Sequence, residues 1–185
     1  MRTFIAIDLD QGIKEALSAF IDQLKEKSRN IRWIRREGMH LTLKFLGEIK
    51  EEKIPEIENI LEKAVRNYQP FSLKIKGTGY FPLKKKNPRV LWIGVEADEA
   101  LSSLQKRLEN ELEKIGIPRE KREFHPHLTL GRVKAPSSVQ ETVCELERHK
   151  ELVFGEMTIN KITFFQSILK PSGAEYNALS EHQLK

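Results

Sequence analysis

His127-Leu128-Thr129-Leu130 repeats, residue for residue, the earlier His40-Leu41-Thr42-Leu43. The chain has 185 residues and only five histidines, and two of the five open the same phrase, nearly half a chain apart. That spacing is expected if two similar halves each supply one copy. Both copies sit in alternating text with β-branched and apolar neighbours, the signature of strands. On a strand, residues i and i+2 share a face. His40 and Thr42 therefore stand on one side and Leu41 and Leu43 on the other; His127 and Thr129 stand likewise against Leu128 and Leu130. Each strand shows an imidazole and a hydroxyl on one face and buries leucines on the other.

Two such strands facing each other make a pocket with two imidazoles and two hydroxyls. Histidine titrates near neutrality, so one ring can accept a proton while the other gives one. Hydroxyls donate to the oxygens of a bound anion. Phosphoryl chemistry without a metal asks for this set: a base for the nucleophile, an acid for the leaving oxygen and donors for the remaining oxygens. The pair alone does not say which histidine is acid and which is base.

The text around the phrases resembles the two-histidine (2H) phosphoesterases, and within them the bacterial and archaeal RNA 2′,3′-cyclic phosphodiesterases, also called 2′-5′ RNA ligases. The matching stretches are 1–8 (MRTFIAID), 39–48 (MHLTLKFLGE), 79–82 (GYFP), 89–95 (RVLWIGV) and 124–132 (FHPHLTLGR). The resemblance implies an RNA 2′,3′-cyclic phosphate as substrate, tRNA fragments being one source, and hydrolysis to a 2′-phosphate. It implies His40 as general acid and His127 as general base, with Thr42 and Thr129 on the phosphate oxygens and Arg132 on the phosphate. It also implies two lobes related by a pseudo-twofold, with the active-site cleft between them. Neither cofactor nor metal is expected.

Composition agrees. Hydrophobic residues make up 39% and charged residues 32%, as in a soluble globular protein, and the net charge of +5 favours a polyanionic partner. One cysteine, Cys144, excludes an internal disulfide and a cysteine-based zinc cluster. No run approaches the roughly 20 apolar residues of a membrane span. Asp8 and Asp10 end the first apolar run too early for a signal peptide. A cytoplasmic monomer is expected.

In order, the periodicity predicts a strand to Asp8 and a helix from Asp10 to about Ser28. A short strand at Ile31–Ile34 precedes the first motif strand, which Gly47 closes. A helix follows with Ile54, Ile57, Leu61 and Val65 on one face. A hairpin of Phe71–Phe81 and Arg89–Glu96 is joined by a turn at Pro82–Pro88. A third helix runs from Asp98 to the stop at Gly116 and Pro118. After the second motif strand, Ser138 and Glu141 read as a capping box. A long strand, Glu156–Leu169, a turn at Pro171–Gly173 and a strand Glu175–Leu184 complete the chain. Helices mixed with hairpins give an α+β class with mainly antiparallel sheets and helices on their outer faces. Residues 1–185 read as one bilobal domain.

Further residues carry weaker signals. Alternation puts Lys44 on the face of His40, at the cleft's edge. Arg132 returns to the cleft only if Gly131 permits a bulge. Tyr80, Phe81, Trp92 and Phe124 are candidates for stacking a base, with Tyr80 and Phe124 favoured by their nearness to turns and motif. Arg32, Arg35 and Arg36 precede the first motif, Arg119, Lys121 and Arg122 the second, and Lys84–Lys86 with Arg89 form a basic turn; all are candidate RNA contacts. His125 pairs with His127 as a metal ligand, orients the loop or is simply structural; the lack of an acidic or cysteine ligand beside either motif, and of a second histidine near His40, favours the latter two. Two other readings stay open: a non-catalytic RNA-binding protein with both motifs as structural strands, and a small cyclic nucleotide as the true substrate.

Overall fold

The computed structural model describes residues 1–82, 87–135, 139–171 and 173–185. The elements are β1 (Arg2–Asp8), α1 (Gln11–Lys25), β2 (Ile31–Trp33), β3 (His40–Glu48), α2 (Ile54–Val65), β4 (Phe71–Phe81), β5 (Val90–Ala97), α3 (Glu99–Lys114), β6 (His127–Val133), α4 (Gln140–Arg148), β7 (Val153–Ile159), β8 (Lys161–Lys170) and β9 (Gly173–Gln183). Short 3₁₀ turns at Arg36–Gly38 and Glu51–Lys53 lead into and out of the β3 region. Asp98 starts α3 as expected, its carboxylate accepting the Ala100 N–H at 2.9 Å. Asp10 precedes α1 without such a bond. The middle of the Pro82–Pro88 turn, the Ser138 capping box and Ser172 lie outside the described residues.

The strands form two sheets, ordered β3-β1-β8-β9 and β2-β6-β5-β4-β7, every pairing antiparallel. Helices α2 and α3 pack on the first sheet, through β9 and β3; α1 and α4 pack on the second, through β7 and β4. This is the expected α+β architecture with one motif strand in each sheet. The two sheets are not the two halves of the chain, however. The first sheet takes strands from both ends of the sequence, and the second is built from its middle with α1 laid against it.

The reason lies at Asn160. The expected single strand Glu156–Leu169 is two, and they enter different sheets: β7 ends at Ile159 and β8 begins at Lys161. Buried positions change parity there, from Met157 and Ile159 to Ile162 and Phe164. A parity change marks an extra residue, and here that residue is where the chain crosses between sheets.

The motif leucines Leu41, Leu43, Leu128 and Leu130 are all buried in the core, so the imidazole faces are the free ones. Strands β3 and β6 pack against each other, which brings the two motif strands together.

Both motif strands carry a bulge at the same step. Across β1, Ala6 pairs with Thr42 and Ile5 with Lys44, leaving Leu43 unpaired with that strand. Across β5, Trp92 pairs with Thr129 and Leu91 with Gly131, leaving Leu130 unpaired with that strand. One extra residue reverses the side-chain faces beyond it. Lys44 and Gly131 thus become equivalent, as do Phe45 and Arg132.

Candidate active site

His127 stands opposite Gly94 on β5. Its Nδ1–H donates to the carbonyl of His125 at 2.6 Å. A carbonyl can only accept, so the hydrogen of this bond sits on Nδ1 and Nε2 is left for another partner. The residue before a proline is biased to extended backbone, so Pro126 helps hold that carbonyl in place. The edge contact of Phe81 with the His127 ring, centroids 5.2 Å apart, fixes the ring from the side; Trp92 backs Phe81 at 5.2 Å. The imidazole of His125 itself is exposed near Glu123; only its backbone serves His127.

His40 stands opposite Asp8 on β1. Three aromatic rings enclose it: Phe4 stacks at 4.7 Å, Tyr176 meets it edge-on at 5.1 Å and Phe165 lies at 6.0 Å. Asp8 is bonded at 2.7 Å to the buried Lys14 of α1. Beside His40 opens a cavity of about 310 Å³, lined by Asp8, Gln11, Lys14, Arg36, Phe165 and Tyr176 among others. Burial lowers the His40 pKa from 6.5 to about 4; Asp8 opposes that shift and Lys14 adds to it.

This shift has a sign that can be tested. In the unfolded chain the ring protonates near 6.5, while the folded protein refuses the proton until about pH 4. Protonation in that window favours the unfolded state. Stability from this group is therefore present above pH 6.5 and lost as pH falls through 4. At 1.36 kcal/mol per pKa unit, the loss is about 3 kcal/mol. Urea unfolding near pH 7 and near pH 4 is expected to show wild type losing about 3 kcal/mol more than His40→Phe, which keeps a ring but cannot titrate. Equal losses in the two proteins would show that His40 protonates freely in the fold.

Of the other expected residues, the structure brings some to the cleft and not others. Thr42 and Thr129 share the faces of His40 and His127, opposite Ala6 and Trp92. Arg132 is exposed and, because of the bulge at Leu130, lies on the face of His127 and Thr129. Lys44 does not reach the cleft. The matching bulge turns it inward, where its ammonium meets Glu109 of α3 at 2.6 Å and the Pro118 carbonyl at 2.8 Å.

Tyr80 also fails to reach the cleft. Gly77, at φ +77°, sits in a register shift between Ile75 and Thr78 that reverses the parity of β4. Thr78 then faces α4, bonding the Leu146 carbonyl, and Tyr80 packs toward the core, while Phe81 takes the cleft position. Phe124 packs against the core as well, anchoring the segment before His125.

The sequence names Phe81 among its aromatics but favours Tyr80, and it gives no sign of Phe4, Phe165 and Tyr176 around His40, or of Phe45. Phe45 is 59% exposed, as few large apolar side chains here are, and lies 6.0 Å from Phe4. The alternation of Phe4, Ala6 and Asp8 against Ile5 and Ile7 marks Phe4 as facing away from the core. Its nearness to His40 needs the strand register.

A family model described as the 2′-5′ RNA ligase superfamily matches residues 13–168. An RNA 2′,3′-cyclic phosphodiesterase of Thermotoga maritima is 40% identical over 185 residues, covering 100% of this chain and 96% of that protein. One of Methanothermobacter thermautotrophicus is 36% identical over 187 residues, covering 100% and 99%. The crystal structure of TT0787 of Thermus thermophilus matches with a TM-score of 0.85 at 31% identity, covering 100% of this chain and 98% of that one. E. coli LigT complexed with 3′-AMP shares the fold, with a TM-score of 0.79 at 24% identity over 99% and 97% of the two chains. Among the described residues, no helix is long and apolar enough to cross a membrane.

Proposed function

We propose that this chain, which belongs to the 2′-5′ RNA ligase superfamily and within it to the RNA 2′,3′-cyclic phosphodiesterase family, hydrolyses a 2′,3′-cyclic phosphate at an RNA 3′ end to a 2′-phosphate. The observation that carries this reading is the doubled phrase on two bulged strands packed together, with the His127 Nδ1–H already committed to a backbone carbonyl.

Nε2 of His127 takes a proton from water as the water oxygen bonds to phosphorus. The bond from phosphorus to the 3′ oxygen breaks, and His40 gives that oxygen a proton. Thr42, Thr129 and Arg132 hold the phosphate oxygens, the guanidinium through its fork. Burial keeps His40 neutral in the free protein, so its proton arrives with the substrate, whose negative charge favours imidazolium as Asp8 already does. By microscopic reversibility, an RNA 5′-hydroxyl in place of water gives a 2′-5′ linkage.

The neutral His40 supports a second reading with the roles exchanged, His40 as base and His127 as acid. A substrate with sulfur in place of the bridging 3′ oxygen separates the two, because a thiolate leaves without a proton. It is expected to restore the His40→Ala variant and not His127→Ala; the reverse pattern exchanges the roles.

The activity itself is tested with a short RNA ending in a 2′,3′-cyclic phosphate, in EDTA, with the product read by phosphorus NMR. A 2′-phosphate is expected at an undiminished rate, since side chains supply acid, base and oxygen donors. RNA bound in a salt-dependent way but left intact would make this a binding protein. Activity lost in EDTA and restored by zinc would make it a metal-dependent hydrolase.

A further inference from the structure

Arg32 on β2 and Arg132 on β6 are directly opposite each other in the antiparallel ladder. Both are exposed. They also share a face. A Cβ placed on Gly131 would meet Ile31 at 2.7 Å and Trp33 at 3.0 Å, so those two face the core and Arg32 points the other way, to the cleft side with Arg132. Like charges opposed across a ladder repel. Among the described residues neither has an acidic partner, whereas Arg36 is tied to Glu15 at 2.8 Å and to Gln11 at 2.9 Å.

Arginines on and just after β2 reach the first sheet here. The Arg32 Nη2 lies 3.8 Å, and the Arg35 Cζ 3.9 Å, from where a Cβ on Gly173 would stand. Gly173 opens β9, three residues before the Tyr176 that packs against His40. The guanidinium groups of Arg32 and Arg35 thus lie between the two sheets, at the start of the strand that carries Tyr176 to His40. Along β6, Arg132 is roughly 7–10 Å past Thr129 at the rise of a strand. That is a step comparable with one nucleotide, and the next anion along an RNA 3′ end is the phosphodiester joining the terminal nucleoside to its neighbour.

We propose that Arg32, together with Arg35 and Arg132, forms a second anion subsite that holds this upstream phosphodiester, so that the protein selects RNA ends over free nucleoside cyclic phosphates. The proposal rests on the cyclic phosphodiesterase reading and deepens it. Arg132 bridges the two subsites, and Arg32 belongs to the outer one alone.

The test measures kcat/KM for triadenylate ending in a 2′,3′-cyclic phosphate and for adenosine 2′,3′-cyclic phosphate, in wild type, Arg32→Ala and Arg32→Lys. Wild type is expected to favour the trinucleotide. Arg32→Ala is expected to lower the trinucleotide-to-nucleoside ratio about tenfold, mainly through KM, with Arg32→Lys between. The salt dependence of trinucleotide binding should lose a slope of about one in Arg32→Ala. An unchanged ratio, or equal losses on both substrates, overturns the outer subsite. A wild type that turns over neither substrate overturns the underlying activity instead, so the two failures are distinguishable.

Discussion

Replacing His127 with alanine is expected to lower kcat/KM on a cyclic-phosphate RNA end by about 10²- to 10⁴-fold, the usual worth of one positioned acid–base group. The geometry gives a reason for a loss toward the upper end. His127 is held by its Nδ1–H bond to the His125 carbonyl and by the edge of Phe81, so in the proposed mechanism water would meet a base already aligned, with its tautomer set. The fold should persist, because the ring is only partly buried and gives up one aromatic contact, about 0.5–1.5 kcal/mol. Thermal unfolding measured beside the kinetics checks this. Added imidazole should return part of the rate in His127→Ala, since the space it vacates opens to the cleft. His125→Ala, which keeps the carbonyl, should stay within a few-fold of wild type. A fully active His127→Ala would remove the base from the mechanism.

One-residue shifts of strand parity separate what is legible in the sequence from what is not. The doubled phrase places an imidazole and a hydroxyl on one face with leucines behind, and the strands carry them so. The glycine at 131 announces its bulge, and Arg132 accordingly lies on the cleft side. At Lys44 the equivalent bulge is hidden, because the extra residue is a leucine in an unbroken strand text, and the lysine faces inward. At Tyr80 the disturbance comes three residues earlier, at Gly77, and passes the cleft position to Phe81. Each is a one-residue shift that composition does not register. The sheets' interleaving is illegible for a different reason: strand order is set by pairings between distant segments, and Asn160 carries no punctuation beyond the change of parity around it. The aromatic enclosure of His40 comes from three strands, β1, β8 and β9, and no local pattern joins them.

Lys44 supplies the second large effect, on stability. Its ammonium and the Glu109 carboxylate are 2% and 8% exposed, and their 2.6 Å contact joins the bulge of β3 to α3. Further hydrogen bonds support both groups. Lys44 also donates to the Pro118 carbonyl, while Glu109 accepts from the Gln105 amide at 3.2 Å and the Glu120 N–H at 3.1 Å. Removing one partner leaves a charge buried without its counterion, at a cost of about 3–5 kcal/mol. Lys44→Met and Glu109→Leu should each lose about that much in urea unfolding. The double variant should recover much of it, because packed apolar residues replace a buried pair at little net cost. Additive losses would show that the charges act separately. Turnover discriminates this role from substrate contact. At a temperature where Lys44→Met is folded, its KM for RNA should match wild type, since the side chain points into α3 and away from the cleft. A Lys44→Met protein of normal stability and raised KM would put Lys44 back at the substrate.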